Sequence, residues 1–232
     1  MSLFTTSLFD FFLPRVCVSC DCRLTPAENS ICEKCFSNIQ TCEAEFLQLE
    51  FDRKFREEKI VNEFLSLFIF EENSPIRDLL HGLKYDKKFR LGYFLGKLLA
   101  ANFDVKIKTW NADLIIPIPL HRLKKAERGF NQSYYISKGL TKNLNLKVKT
   151  NILKRNRFTA TQTKLNAEER KDNMKGAFTI KNKKIVTGRN IILLDDVITT
   201  GSTITECAKI LKQNGALNIY AVSVGIANYI NT

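Results

Sequence analysis

Residues 191–203 read IILLDDVITTGST. Four apolar residues end in two adjacent carboxylates, and small hydroxyl residues with a glycine follow at once. Ile191 to Leu194 suit a central strand buried on both faces. Asp195 and Asp196 then emerge at its carboxyl end, Val197 and Ile198 turn the chain, and Thr199, Thr200, Gly201, Ser202 and Thr203 open the next helix. The first N–H groups of a helix lack partners, and its dipole adds partial positive charge there. Hydroxyls add donors and glycine admits a close approach, so the loop can cradle a phosphate. It is not a Walker loop, because the GxxxxGK[ST] spacing is missing. Carboxylates beside a phosphate would repel it unless they serve another part of the ligand. An ionised carboxylate accepts hydrogen bonds from hydroxyls, so a diol is the natural occupant. The stretch describes a ribose 5-phosphate group; the alternative is a buried strand ending in a turn with helix-capping residues.

A second constellation lies at the front. Cys17-x-x-Cys20 and Cys32-x-x-Cys35 are two knuckles, with Cys22 and Cys42 nearby. Each knuckle aims two thiolates at one point, and four sulfurs suit a tetrahedral Zn2+. A loop-rich piece with little core of its own needs a metal or crosslinks to fold. Disulfides are the competing reading; without an export signal, zinc is preferred. Either Cys22 or Cys42 could replace one of the four. Four protein ligands leave no open metal position, so the module supports structure or binds a partner. Cys207, inside ITECAKIL, reads as a buried structural thiol.

The third constellation is basic. Arg122, Lys124, Lys125 and Arg128 crowd the segment after the prolines of LIIPIP. Four cations there can neutralise a pyrophosphate; the alternative is a solvated basic loop. Net charge is +12. Residues 1–60 hold seven Lys and Arg against ten Asp and Glu, whereas the remainder holds 29 against 14. The excess points to phosphates or nucleic acid, unless the lysines simply cover solvated faces. The aromatics fall mostly inside apolar runs, so no base-stacking platform is evident.

The elements that must hold these groups alternate. Residues 64–72, 112–119, 148–158, 190–197 and 218–227 read as strands, and residues 74–85, 87–103, 131–144 and 202–216 as helices. Residues 121–133 read as a constrained loop, and residues 159–180 as a long, polar, mobile loop. Such alternation predicts an α/β fold, a mainly parallel sheet flanked by helices with ligands at its carboxyl edge. A change of composition near the charged stretch 50–59 divides the chain into a module of residues 1–58 and a domain of residues 59–232. No apolar run reaches the ~20 residues that span a membrane. The apolar start, residues 1–16, lacks a basic flank and a cleavage site and reads as a short packed helix, so no membrane insertion and a cytoplasmic location are expected.

The Asp-Asp, two residues, Thr-Thr-Gly-Ser-Thr pattern resembles the PRPP-binding signature of type I phosphoribosyltransferases. With the front cysteines, GLKYDKKF, IPIPLHRLKKAERGFNQS and TATQTKLNAEERKDNMKGAF, in that order along nearly the whole chain, the sequence resembles the ComF family of competence-associated, phosphoribosyltransferase-like proteins. The resemblance implies a type I phosphoribosyltransferase fold with a small zinc-ribbon-like front module. Asp195 and Asp196 should hold the ribose hydroxyls, and residues 199–203 the 5-phosphate. Arg122, Lys124, Lys125 and above all Arg128 should meet the pyrophosphate. Arg170 should enter from the closing loop. Lys84 and Tyr85 match a family pair without an evident role.

As an enzyme the chain would displace pyrophosphate from PRPP, with Mg2+ bridging ligand oxygens. Enzymes for 6-oxopurines carry an aspartate where this chain has Thr199, which argues against that acceptor. Glutamine-dependent amidophosphoribosyltransferases need an extra glutaminase domain for which residues 1–232 leave no room. The alternative is a PRPP- or nucleotide-sensing adaptor that binds single-stranded DNA, a competence helicase or a recombination mediator.

Overall fold

The computed structural model describes residues 14–85, 88–158 and 173–228. The apolar start up to residue 13 and Arg170 lie outside these. In chain order the elements are α1 (Glu33–Ser37), α2 (Ala44–Phe55), β1 (Glu63–Phe70), α3 (Pro75–Tyr85), α4 (Phe89–Thr109), β2 (Leu114–Pro117) and α5 (Arg122–Arg128). They continue with α6 (Gln132–Leu140), β3 (Lys147–Val148), β4 (Leu153–Arg155), β5 (Phe178–Ile180), β6 (Asn190–Ile198), α7 (Ser202–Gln213) and β7 (Asn218–Ala227).

The main sheet has the order β1-β7-β6-β2-β3, and every pairing in it is parallel. This is the mainly parallel, helix-flanked sheet that the alternation predicts. Ile191, Ile192, Leu193 and Leu194 each have 0% exposure. Successive strand residues point to opposite faces, so both faces of β6 are covered. Burying each such side chain contributes about 1.5–3 kcal/mol. That is why the run contains no polar residue until Asp195.

Helices α4 and α6 meet backbone to backbone where Gly96 faces Gly139. A Cβ on Gly96 would lie 2.0 Å from the carbonyl oxygen of Ile136, and one on Gly139 would lie 2.2 Å from that of Tyr93. Only glycine permits that approach.

Three local expectations are corrected. Residues 122–128, expected as loop, form α5, capped by His121, whose Nδ1 accepts from the Leu123 amide at 3.3 Å, and ended by Gly129 at φ 80°. It buries no residue, so it lacks the apolar stripe by which a helix is recognised. Strand β6 does not turn at Val197; pairing with β7 continues through Val197–Gly225 and Ile198–Ile226. The run 148–158 is not one strand. Its start is the edge strand β3, and β4 leaves the sheet to pair antiparallel with β5, which lies inside the expected long loop.

The front segment docks on the sheet. Thr41 bridges Phe68, the Cys42 amide donates to the Leu67 carbonyl at 2.8 Å, and the Phe36 and Phe68 rings meet edge to face. Among the described residues, no helix is long and apolar enough to cross a membrane.

Candidate functional site

Asp195 and Asp196 lie near the carboxyl end of β6, partly exposed. Asp195 Oδ1 accepts from the Ser133 hydroxyl at 3.1 Å and from the Asp196 amide at 2.9 Å. Asp196 Oδ2 pairs with Lys84 Nζ at 2.9 Å, and its Oδ1 accepts from the Val197 amide at 2.9 Å. The two carboxyls therefore diverge in acidity. Burial, and then the charge of Asp196, push Asp195 up to about 8. Burial also acts against Asp196, but Lys84, with help from Arg128, holds it below the usual carboxylate range. Lys84, whose role the sequence left open, is the countercharge of the pair.

Beyond Ile198 the chain bends into α7. Gly201 stands at the N-cap with φ 80°, a left-handed conformation that strains any side chain. The Thr200 and Ser202 hydroxyls share a 2.7 Å hydrogen bond, and the Thr205 amide donates to the Gly201 carbonyl at 2.9 Å. Asp195, Val197, Ile198, Thr199, Gly201, Ser202, Thr203 and Ile204 line a small open hollow here. Amides at a helix start beside hydroxyls suit an anion.

Cations border the aspartates. Arg128 donates to Gln132 Oε1 at 3.2 Å and lies 5.6 Å from the Tyr85 ring centre. Lys124 lies over Phe158 and is half-buried. Burial first, then Arg128 and Arg155, hold its ammonium below the usual lysine range. Arg155 of β4, absent from the sequence reading, faces the Phe178 ring and feels the charge of Asp195. Arg122 and Lys125 are exposed on α5. Among the described residues, Arg128 Nε, Asn131 Oδ1 and Gln132 Nε2 are buried without a hydrogen-bond partner. Buried polar atoms of this kind are ordinarily satisfied, which suits a site that takes a polar ligand. Arg157 donates to the carbonyls of Asn173 and Lys175 at 2.7 and 2.8 Å. Aromatics are not all internal. Tyr85 and Phe89 are exposed, and Phe89, Tyr135 and Phe130 meet ring to ring, because α3, α4 and α6 converge beside the site.

At the front, the sulfurs of Cys17, Cys20, Cys22 and Cys32 all lie within 4.8 Å of one another. Cys20 and Cys32 are 3.7 Å apart, close to the ~3.8 Å edge of a tetrahedron built on ~2.3 Å zinc–sulfur bonds. The Cys32 amide donates to Cys17 Sγ at 3.4 Å. Cys35 adjoins this group through Cys17, Cys20 and Cys32. Cys22 thus joins the first three expected ligands, because the turn at Asp21, with φ 57°, folds it back. Cys42 stays apart, beside the edge strand β1, where its amide donates to the Leu67 carbonyl. The thiols fit a zinc ion. Cys207 is fully buried.

The fold and the two constellations define an α/β protein with a candidate anion site at the carboxyl edge of its sheet and a cysteine-rich front module. Competence protein F of Haemophilus influenzae is 30% identical over 224 residues, covering 91% of this chain and 96% of that one. The chain belongs to the ComF family. DNA utilization protein YhgH of Escherichia coli is 36% identical over 145 residues, or 61% of this chain; the match spans 63% of that protein's length. Competence protein ComFC of Streptococcus pneumoniae is 26% identical over 156 residues, covering 67% and 66%. No family model matches. Among solved structures, the glutamine PRPP amidotransferase of B. subtilis, complexed with ADP and GMP, aligns with a TM-score of 0.38 and 20% identity, covering 56% of this chain and 25% of that one.

Proposed function

We propose that the chain binds PRPP at the end of β6 and transfers its phosphoribosyl group to an acceptor, in the service of DNA uptake. The observation that carries this reading is the divided aspartate pair. One carboxylate is kept ionised by Lys84 and the other is held by Ser133, both one short loop from the amides and hydroxyls of residues 199–203. Asp195 and Asp196 would take the ribose diol, and residues 199–203 the 5-phosphate. Arg128 and Lys124, with Arg122 and Lys125 further out, would take the pyrophosphate. Arg170 would approach from segment 159–172.

In the transfer, the C1–pyrophosphate bond breaks as the acceptor's lone pair forms the new bond to C1. The pyrophosphate leaves with the bonding electrons, and the acceptor's proton passes to solvent. Positive charge develops on the ribose beside the aspartates, and negative charge on the leaving group beside the cations, so electrostatic positioning lowers the barrier. Among the described residues, no three carboxylates or histidines gather at this site. Mg2+ would therefore be held mainly by ligand oxygens and water, as is usual for it, and would neutralise the pyrophosphate. Residues 1–58 would form a zinc-bound module and residues 59–232 the ligand domain.

A screen for pyrophosphate release from PRPP and Mg2+ across amine, nucleobase and oligonucleotide acceptors tests turnover. Release dependent on one acceptor class supports the reading, whereas binding without release across the screen favours a sensor. That second reading draws on the names of the relatives, competence and DNA utilization proteins, and on the basic body. A PRPP-sensing adaptor would then engage single-stranded DNA, a competence helicase or a recombination mediator.

A further inference from the structure

Helix α2, which follows the clustered cysteines, underlies the loop of residues 199–203. A Cβ on Gly201 would lie 3.0 Å from Phe55 Cε1 and 3.2 Å from Lys54 Cβ, so the loop backbone rests directly on the last turn of α2. That turn carries a buried ion pair. Lys54 Nζ lies 2.9 Å from Glu50 Oε2, with side-chain exposures of only 3% and 2%. The same ammonium donates to the Ala227 carbonyl, at the carboxyl end of β7, at 3.4 Å. Arg53 also reaches Glu50, at 2.7 Å. The Phe55 ring in turn packs against Phe64 of β1 and Phe51. Just past α2, Glu58 accepts from Lys209, two turns into α7, at 2.9 Å, so the segment after α2 is also tied to the helix that the loop opens.

Two charges at this depth are costly unless the geometry is well made, and a hydrophobic pair of similar shape would often be no less stable. Their arrangement fixes the end of α2 against the sheet edge at the place where the loop must hold its left-handed turn. We propose that Lys54, Glu50 and Phe55 are positioning residues that seat Gly201. They would hold the amides of residues 199–203 in their anion-binding arrangement, so that the affinity of the site depends on a helix outside the sheet domain. This rests on the reading of those residues as the phosphate loop.

The test compares the full chain with Lys54→Met, which keeps the stem and removes the charge, and with Phe55→Leu, which withdraws the ring from Gly201. PRPP affinity with saturating Mg2+ and amide hydrogen exchange across residues 199–203 are both measured at a temperature where circular dichroism shows each variant folded. We expect affinity to fall about tenfold, the equivalent of one misaligned hydrogen bond, with faster exchange confined to the loop and the end of α2. Should Lys54→Met fail to fold, Phe55→Leu carries the test alone, since it leaves the ion pair intact. Unchanged exchange in residues 199–203 of a folded variant overturns the proposal, as does unchanged affinity. A wild-type chain that ignores PRPP would instead count against the ligand reading, and the exchange arm would still decide whether α2 seats the loop.

Discussion

Asp195 and Asp196 are neighbours in sequence with opposite electrostatic fates. Asp195 stands at about 8, against an ordinary aspartate near 3.8. The neutral form's contribution to stability is complete below about pH 4 and is lost as pH rises through about 8. Asp196 is depressed, so its contribution is already complete above the ordinary range and does not vary between pH 5 and 8. Asp195→Asn should therefore flatten the fall in melting temperature between pH 5 and 8 relative to wild type, read by paired thermal melts. Parallel curves for the two proteins would contradict the raised value. The place of these aspartates at a strand end was legible, because an apolar run cannot end in two carboxylates unless they reach a polar edge. Their partners were not. Lys84 and Ser133 come from helices distant in sequence, and no local pattern announces such a contact.

At the scale of elements, the strongly apolar strands and the long helices were readable, because burial imposes a period on them. Helix α5 was not, since none of its residues is buried. The split of residues 148–158 was hidden because β3 and β4 together contain five residues, too few to show alternation. The cysteine module was readable as a metal framework from its knuckles, but the backbone turn at Asp21 that brings in Cys22 was not. Metal analysis of the purified chain should give about one zinc, and Cys32→Ser should lose it and destabilise the front module, since metal binding and folding are linked there. Cys42→Ser should keep the zinc, because Cys42 lies outside the cluster. Retention of zinc by Cys32→Ser would contradict the assignment. The α4–α6 crossing yields a third expectation. Gly96→Ala places a methyl group 2.0 Å from a backbone oxygen, so the helices must part, at a cost of about 3 kcal/mol in chemical denaturation. A loss below about 1 kcal/mol would show that the crossing adapts.

For the whole molecule, the net charge of +12 matters with its distribution, because the excess lies beyond residue 60, where the candidate anion site also lies. Binding of the chain to single-stranded DNA, if driven by this charge, should weaken steeply between low and physiological salt. Pyrophosphate should compete with it if Arg128 is shared; salt-insensitive binding would point to a recognition surface of another kind. The aromatic group around Tyr85 and Phe89 is where such a surface would be sought. The measurement that bears most directly on the account is calorimetric titration of PRPP, with saturating Mg2+, into wild type, Asp195→Asn, Asp196→Asn and the double variant. Asp196→Asn should weaken binding about tenfold to a hundredfold, as expected for the loss of a charge-assisted hydrogen bond, and Asp195→Asn should weaken it less at neutral pH, where Asp195 is already largely neutral. The double variant should lose less than the sum, because both side chains serve one ligand. A double variant that binds PRPP as tightly as wild type, while remaining folded, would contradict the assignment of this site to the ribose.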